Sequence, residues 1–378
     1  SSQFVRPYPD RTGLGSGSVW SFCASMTTER AGDDTAPVRE YSLAESLRAA
    51  RDEYCAEIRV ARGGSLAAAD FSTRVDHLLT RIHADAAAHT ETPVALLAIG
   101  GYGRRHLCLH SDIDVLILFG GQIAAAEERF VKALLHPLWD LGFQVGQQVR
   151  QLSDLDQAET DNPEFLAAVL DSRFLSGDAS VFERFETLVH GPESVWRQPT
   201  IEAMFDLVAE RHRRFNSTIY QLEPDVKEAP GALRDVAAIR ALVALTQTGM
   251  ARSVPTTSGR LDEALDEAED FFLRIRSLLH LENRRNVNAL NHEDQEGVAE
   301  RFGSPGIEAR GQVEALMSVY FHHARIIARI LAAAITQAHP PPEPATTKSV
   351  GDNILMTRNG IGFVDTVRAS LQPRTWLH

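Results

Sequence analysis

With 378 residues, 44% of them hydrophobic and 24% charged, the chain has the length for two or three domains and the composition of an ordinary globular protein. Its formal net charge of −13 disfavours a non-specific nucleic-acid binder, which needs a basic stripe, but leaves room for a nucleotide site where a metal ion supplies positive charge locally. No run approaches the roughly 18 apolar residues of a membrane span, and Cys23, Cys55 and Cys108 show no paired spacing, which points to a reducing, cytoplasmic compartment without a zinc site.

Residues 1–38 are rich in Gly, Ser and Pro, lack the apolar core of a signal peptide and read as a disordered leader, with Met26 a candidate translation start. Over 39–92, apolar residues recur at three and four spacings, which predicts two amphipathic helices, Ser42–Ala61 and Leu66–His89. Pro93 ends that pattern. Residues 93–152 then read as a compact α/β palm: strand Val94–Ile99, a turn at Gly100–Gly103, a short helix or loop to His110, strand Asp112–Phe119, a helix over Ala124–Leu141 burying Phe130, Leu134, Leu138 and Trp139, and strand Phe143–Arg150. From 153 to 338 the periodicity is helical throughout, in segments near 164–175, 181–188, 201–220, 237–248, 261–281, 293–302 and 313–337, separated by prolines. Residues 339–378 read as a Pro/Thr-rich linker followed by a small strand pair over Asn353–Val367. The lack of an initial Met and the abrupt end at His378 raise the expectation of a piece of something longer. The fold class is therefore α+β and mostly helical, a small mixed sheet flanked by helices and followed by an all-helical domain.

The chemistry concentrates in Ile99-Gly100-Gly101-Tyr-Gly103-Arg104 and Ser111-Asp112-Ile113-Asp114-Val115. Side chains alternate on a strand, so Asp112 and Asp114 share a face while Ile113 and Val115 point into the core. Adjacent carboxylates repel, and a cation between them relieves the repulsion. Hard oxygen ligands select Mg²⁺, which favours one or two carboxylates plus substrate phosphates, and a two-ion site with the ions about 3.5–4 Å apart suits phosphoryl transfer. Gly100 and Gly101 would let backbone N–H groups approach phosphate oxygens; Ser111 could add a hydroxyl and Arg104 a planar donor fork. A bland reading, a glycine turn before a solvated acidic strand start, is weakened by Leu116–Phe119, which bury the strand that Asp114 opens. Cys108 reads as a small buried thiol.

Gly-Gly-x-Gly-Arg followed by Ser-Asp-Ile-Asp resembles the signature of the polymerase-β-like nucleotidyltransferases, and in its flavour the PII uridylyltransferase family. The likeness continues through Leu138–Gly146, through Leu170-Asp-Ser-Arg173-Phe-Leu-Ser-Gly177-Asp178, through Leu222-Glu223-Pro-Asp-Val-Lys227-Glu228-Ala229-Pro-Gly231-Ala232-Leu-Arg234-Asp235 and through Leu273–Arg285, so that it covers about Val94 to Ala338. The resemblance implies a nucleotidyltransferase palm and transfer of UMP from UTP to a tyrosine of the signalling protein PII, with release of pyrophosphate, in nitrogen regulation. It gives Gly100, Gly101, Asp112 and Asp114 the nucleotide- and metal-binding roles and makes Glu223, Lys227, Glu228 and Arg234 a charged loop facing the site, with Lys227 on the triphosphate and Glu228 an accessory carboxylate. The plain alternative is that these loop charges pair among themselves in a capping turn.

Three departures stand out. Gln147 and Gln148 occupy the strand where the wider superfamily carries a third carboxylate and where members of this family tend to show a histidine; neither is a good Mg²⁺ ligand. Ala229 and Ala232 stand where the family has glycine, at a cost of about 1 kcal/mol each if those backbones need positive φ. None of the fourteen histidines precedes an aspartate, so the family's uridylyl-removing HD hydrolase is not expected in this chain. His322-His323 reads as an ordinary helix surface or core position, and Arg211–Arg214 and Arg284-Arg285 read as solvated or ion-paired faces, with contact to an acidic acceptor or nucleotide as the alternative. Two further readings remain open: a related nucleotidyltransferase with another nucleotide or acceptor protein, and a silent module that binds nucleotide without turnover.

Overall fold

In the computed structural model the structure describes residues 42–158, 160–191, 193–247, 258–302 and 309–338, together with the backbone of three short strands between 348 and 363. The leader over 1–38, Met26, Cys23 and the stretch 339–347 lie outside the described residues.

Ser42 and Glu45 form a capping box. The Ser42 hydroxyl accepts from the Glu45 N–H at 3.2 Å, and Glu45 Oε2 accepts from the Ser42 N–H at 2.9 Å. Two otherwise unpaired donors are thereby satisfied where α1 (Leu43–Arg59) begins. The apolar stripe of α1 meets that of α2 (Ser65–Ala86), with the Tyr54 and Phe71 rings stacked at 4.9 Å. α1 also packs on a later helix, while α2 lies against the edge strand and crossover helix of a four-stranded sheet.

That sheet comprises β1 (Val94–Ala98), β2 (Ile113–Phe119), β3 (Val145–Gln151) and β4 (Arg173–Gly177), in the order β3-β2-β1-β4. β1 runs antiparallel to both neighbours, while β2 and β3 are parallel and need a crossover, which α4 (Ala125–Asp140) supplies. Ile113, Val115, Ile117 and Phe119 point to the face whose core also holds residues of α1, α2 and α4. Leu116 and Leu118 pack on the other face with Phe165, Phe185 and Trp196. Burial on both faces explains why β1 and, after Asp114, the rest of β2 are continuous apolar runs.

The chain departs from its local pattern at four places. The helix expected over 164–175 is instead α5 (Pro163–Val169) followed by β4. Asn162 caps α5, and after Leu170 the segment Arg173–Gly177 extends to pair with the free edge of β1. Edge pairing overrides helical periodicity here. The sheet therefore reaches beyond residue 152, and 153–338 is not purely helical. Trp139 is 46% exposed, because α4 turns Phe130, Leu134, Leu135 and Leu138 inward instead. Gly100–Gly103 forms a single helical turn, α3, and Asp112 sits just ahead of β2.

The remaining helices are α6 (Ala179–His190), α7 (Arg197–Arg214), α8 (Leu233–Gln247), α9 (Ser258–Asn283), α10 (His292–Phe302) and α11 (Ala309–Ala338). α9 packs against α1, α2, α8, α10 and α11, so its residues Phe272, Ile275 and Leu279 share one hydrophobic core with the N-terminal pair and the palm. A separate three-stranded antiparallel sheet, β5 (Lys348–Gly351), β6 (Ile354–Thr357) and β7 (Gly360–Phe363), adds one strand to the pair expected over 353–367. Among the described residues, no helix is long and apolar enough to cross a membrane.

Candidate active site

Asp114 is the second residue of β2, and its backbone carbonyl accepts from the Ile99 N–H at 3.0 Å, which ties the end of β1 to the acid-bearing strand. The turn that follows opens at Gly100, with φ +56°. A Cβ built on Gly100 would stop 3.8 Å from Asp114 Oδ2, an ordinary van der Waals approach, so the glycine turn lies close beside the carboxylate. Opposite Asp114 in the parallel register lies Gly146. A side chain there would put its Cβ 2.3 Å from Asp114 Oδ1; glycine is what leaves the carboxylate its place.

These residues open into a cavity of about 430 Å³. Gly100, Gly101, Arg104, Ser111, Asp112, Asp114, Lys227, Glu228 and Arg234 all line it, and Gln147 and Gln148 do too. Glu223 does not. It is exposed, and its Oε1 accepts from the His292 N–H at 3.1 Å, so it serves the start of α10 rather than the cavity. Arg104 is committed to an ion pair with Asp171, a residue just before β4. The Ser111 hydroxyl accepts from the Cys108 N–H at 2.9 Å and so holds the turn ahead of the acids.

The wall facing the sheet is the loop 222–235. Asp225 Oδ1 accepts from the N–H groups of Lys227 and Glu228 at 2.8 and 2.7 Å, and the Val226 N–H donates to the Asn288 carbonyl at 2.8 Å. Asp235, fully buried, pairs with Arg211 and His212 and accepts from the Gly231 N–H at 2.7 Å. Gly231 carries the loop's positive φ, +79°, with the Ala324 backbone too close for any side chain. Ala229 and Ala232 are not in the positive-φ region, so they carry no backbone strain. Glu228 lies within 4.0 Å of Lys227, 3.8 Å of Arg214 and 3.3 Å of Arg234, so the loop charges do pair among themselves while facing the cavity.

Electrostatically Asp114 is under stress. Burial, and then the neighbouring Asp112 charge, push the Asp114 carboxyl above its usual range, against the pull of Lys227, Arg234 and Arg104. Neither aspartate has an ion-pair partner among the described residues. Burial lowers the Lys227 ammonium, with Arg276 and Arg234 acting in the same direction. Arg276, on α9, also lines the cavity; it is buried, with Nε donating to Asn288 Oδ1 at 2.7 Å and no carboxylate partner among the described residues. Its Leu-Arg-x-Arg setting was the available signal, yet nothing local marks which arginine turns inward. Among the described residues no three His, Cys, Asp or Glu side chains converge as a metal cage. A divalent cation fits the acids nonetheless: two hard, unpaired carboxylates, an exposed Asp112 and a part-buried Asp114, line the same cavity and suit an ion that takes its remaining oxygens from a bound phosphate.

Residues 200–335 match the family model described as GlnD PII-uridylyltransferase. Over 259 residues the chain is 34% identical to the bifunctional uridylyltransferase/uridylyl-removing enzyme of Pasteurella multocida, an alignment covering 67% of this chain and 30% of that relative. The enzymes of the same description from Vibrio parahaemolyticus, 34% identical over 262 residues, and Methylococcus capsulatus, 33% identical over 263 residues, are matched over 68% of this chain and 30% of theirs. The chain thus spans about 30% of the length of the curated relatives it matches.

Proposed function

The chain is a relative of the PII uridylyltransferases, and from that kinship we propose that its cavity transfers UMP from UTP to a tyrosine hydroxyl of a PII signalling protein in the cytoplasm, releasing pyrophosphate and so serving nitrogen regulation. One observation supports it above the rest: the unpaired Asp112 and Asp114 line one cavity with the Gly100 turn and with the cationic Lys227, Arg234 and Arg276.

In the proposed reaction, the tyrosine oxygen forms a bond to the α-phosphorus as the bond to the β-phosphate oxygen breaks, and pyrophosphate departs. A phenol with a pKa of about 10 is a poor nucleophile at neutral pH. Mg²⁺ held by Asp112 and Asp114, as one ion or two, would supply charge neutralisation and acidify the attacking hydroxyl. The protein's own part is positioning. Gly100 and Gly101 leave room for phosphate oxygens beside Asp114, and Lys227, Arg234 and Arg276 offer donors to the triphosphate from the opposite wall. Asp235 with Arg211 and His212, and Asp225 with the Lys227 and Glu228 N–H groups, hold that wall rigid.

Gln147 and Gln148, amides on a strand lining the cavity, favour one second reading, nucleotide binding without turnover. The backbone at Ala229 and Ala232 lends that reading nothing. A single assay separates the two. The chain, Mg²⁺ and purified PII are incubated with UTP labelled at the α- or the γ-phosphate, beside α-labelled ATP and CTP. The proposal expects label on a PII tyrosine from α-labelled UTP alone, with stoichiometric pyrophosphate. Equal labelling from ATP would shift the assignment to another nucleotidyl transfer, and UTP binding without any label would leave the silent module.

A further inference from the structure

A second cavity, of about 460 Å³, lies where α1, the 104–112 loop and the end of α9 meet. In a chain with net charge −13 it is lined by four arginines, Arg51, Arg59, Arg284 and Arg301, against one carboxylate, Glu282. Glu282 is already engaged, with Arg301 at 3.1 Å. Among the described residues no carboxylate lies within ion-pair distance of the other three arginines. Arg51 is the most telling. It is half-buried with its guanidinium carbon 5.4 Å from the centre of the Phe143 ring, and its Nε is buried with no hydrogen-bond partner. Desolvating a cation without an acceptor is costly, and an anion in the cavity would relieve it.

Guanidinium groups present planar forks that match phosphate oxygens, and the cavity's size is that of a small-ligand pocket. Leu109 and Leu281 give it an apolar part. The 104–112 loop contributes to both cavities, Leu109 and His110 to this one and Arg104, Ser111 and Asp112 to the other. We propose that this arginine-lined cavity is a second anion site, separate from the catalytic cavity, that binds a compact polyphosphate group: pyrophosphate, or the phosphate end of a nucleotide.

The test uses the whole chain in EDTA, with calorimetric titration of pyrophosphate and, in parallel, of ADP. Cys55, half-buried in the same cavity, gives a second readout through its rate of alkylation. The proposal expects Arg51→Gln to weaken binding of at least one ligand about tenfold, the scale of one lost charge-assisted contact, while Mg²⁺-dependent UTP binding stays at the wild-type level. It also expects the ligand to slow Cys55 alkylation in the wild type and not in the variant. Arg59→Gln, at the exposed end of α1, repeats the test should Arg51→Gln fold poorly. Tighter ADP binding assigns the site to a nucleotide, and equal binding to the polyphosphate alone. Wild-type affinities in both variants, or Cys55 alkylation indifferent to either ligand, would overturn it. Loss of PII labelling bears on the transfer reaction and leaves this outcome untouched.

Discussion

At the scale of single residues, the placement of Asp114 depends on what Gly146 lacks. A methyl group at 146 would occupy the position of Asp114 Oδ1, so Gly146→Ala must rotate or displace the carboxylate. Misplacing a reacting group by about 1 Å costs on the order of 10²-fold in rate. Gly146→Ala is therefore expected to lower UMP transfer by roughly that factor while melting close to the wild type; an unaltered rate would mean that Asp114 does not need its present position. The acids, the glycine pair, Arg104 and Ser111 could be named from short local motifs, whereas Lys227, Glu228 and Arg234 could be named only through the resemblance of their loop to that of the family. Gly146 and Arg276 could not be assigned roles, because they reach the cavity only through the sheet register and the packing of α9, and neither could Asp171, which bears on the cavity only by holding Arg104. Glu223 shares its loop with Lys227 but leaves the cavity toward α10, a divergence that no local pattern encodes.

At the scale of elements, helix α4 shows how the crossover is fixed. Glu127 accepts from the Thr90 and Thr92 hydroxyls at 2.8 and 2.7 Å and, through Oε2, from the Ala124 N–H at 2.9 Å. The Thr92 and Thr90 hydrogen bonds, then the backbone ones, hold its carboxyl down to about 2, from an ordinary value of 4.5. A group depressed in the folded state contributes stability above its unfolded pKa and loses it as pH falls through the folded one. The contribution of Glu127 is thus present above pH 4.5 and fades toward pH 2. In acid titrations of thermal stability, Glu127→Gln should be less stable than the wild type at neutral pH, and the gap should close across that window. A constant gap would contradict the assignment. The α5–β4 segment marks the limit of reading elements locally: Leu166 to Leu175 carries helical spacing, and only the vacant edge of β1 makes its second half a strand.

At the scale of the whole molecule, the palm and the helical half are not independent bodies. α9 places Phe272, Ile275 and Leu279 in the core shared with α1, α2 and the sheet, and the same helix delivers Arg276 to the cavity. The loop 222–235, strapped to residues 288–290, closes the opposite wall. Acids on the palm and cations on the helical half therefore meet as a consequence of one continuous packing, and that junction is the whole of the proposed catalytic apparatus. Its most direct test is the transfer of α-labelled UMP from UTP to PII by the wild type and by Asp114→Asn, which keeps the side chain's shape and removes its charge, with thermal melting as a check on folding. The account predicts a fall of about 10²–10³-fold in transfer with the fold preserved. Transfer at the wild-type rate by the asparagine variant would contradict it.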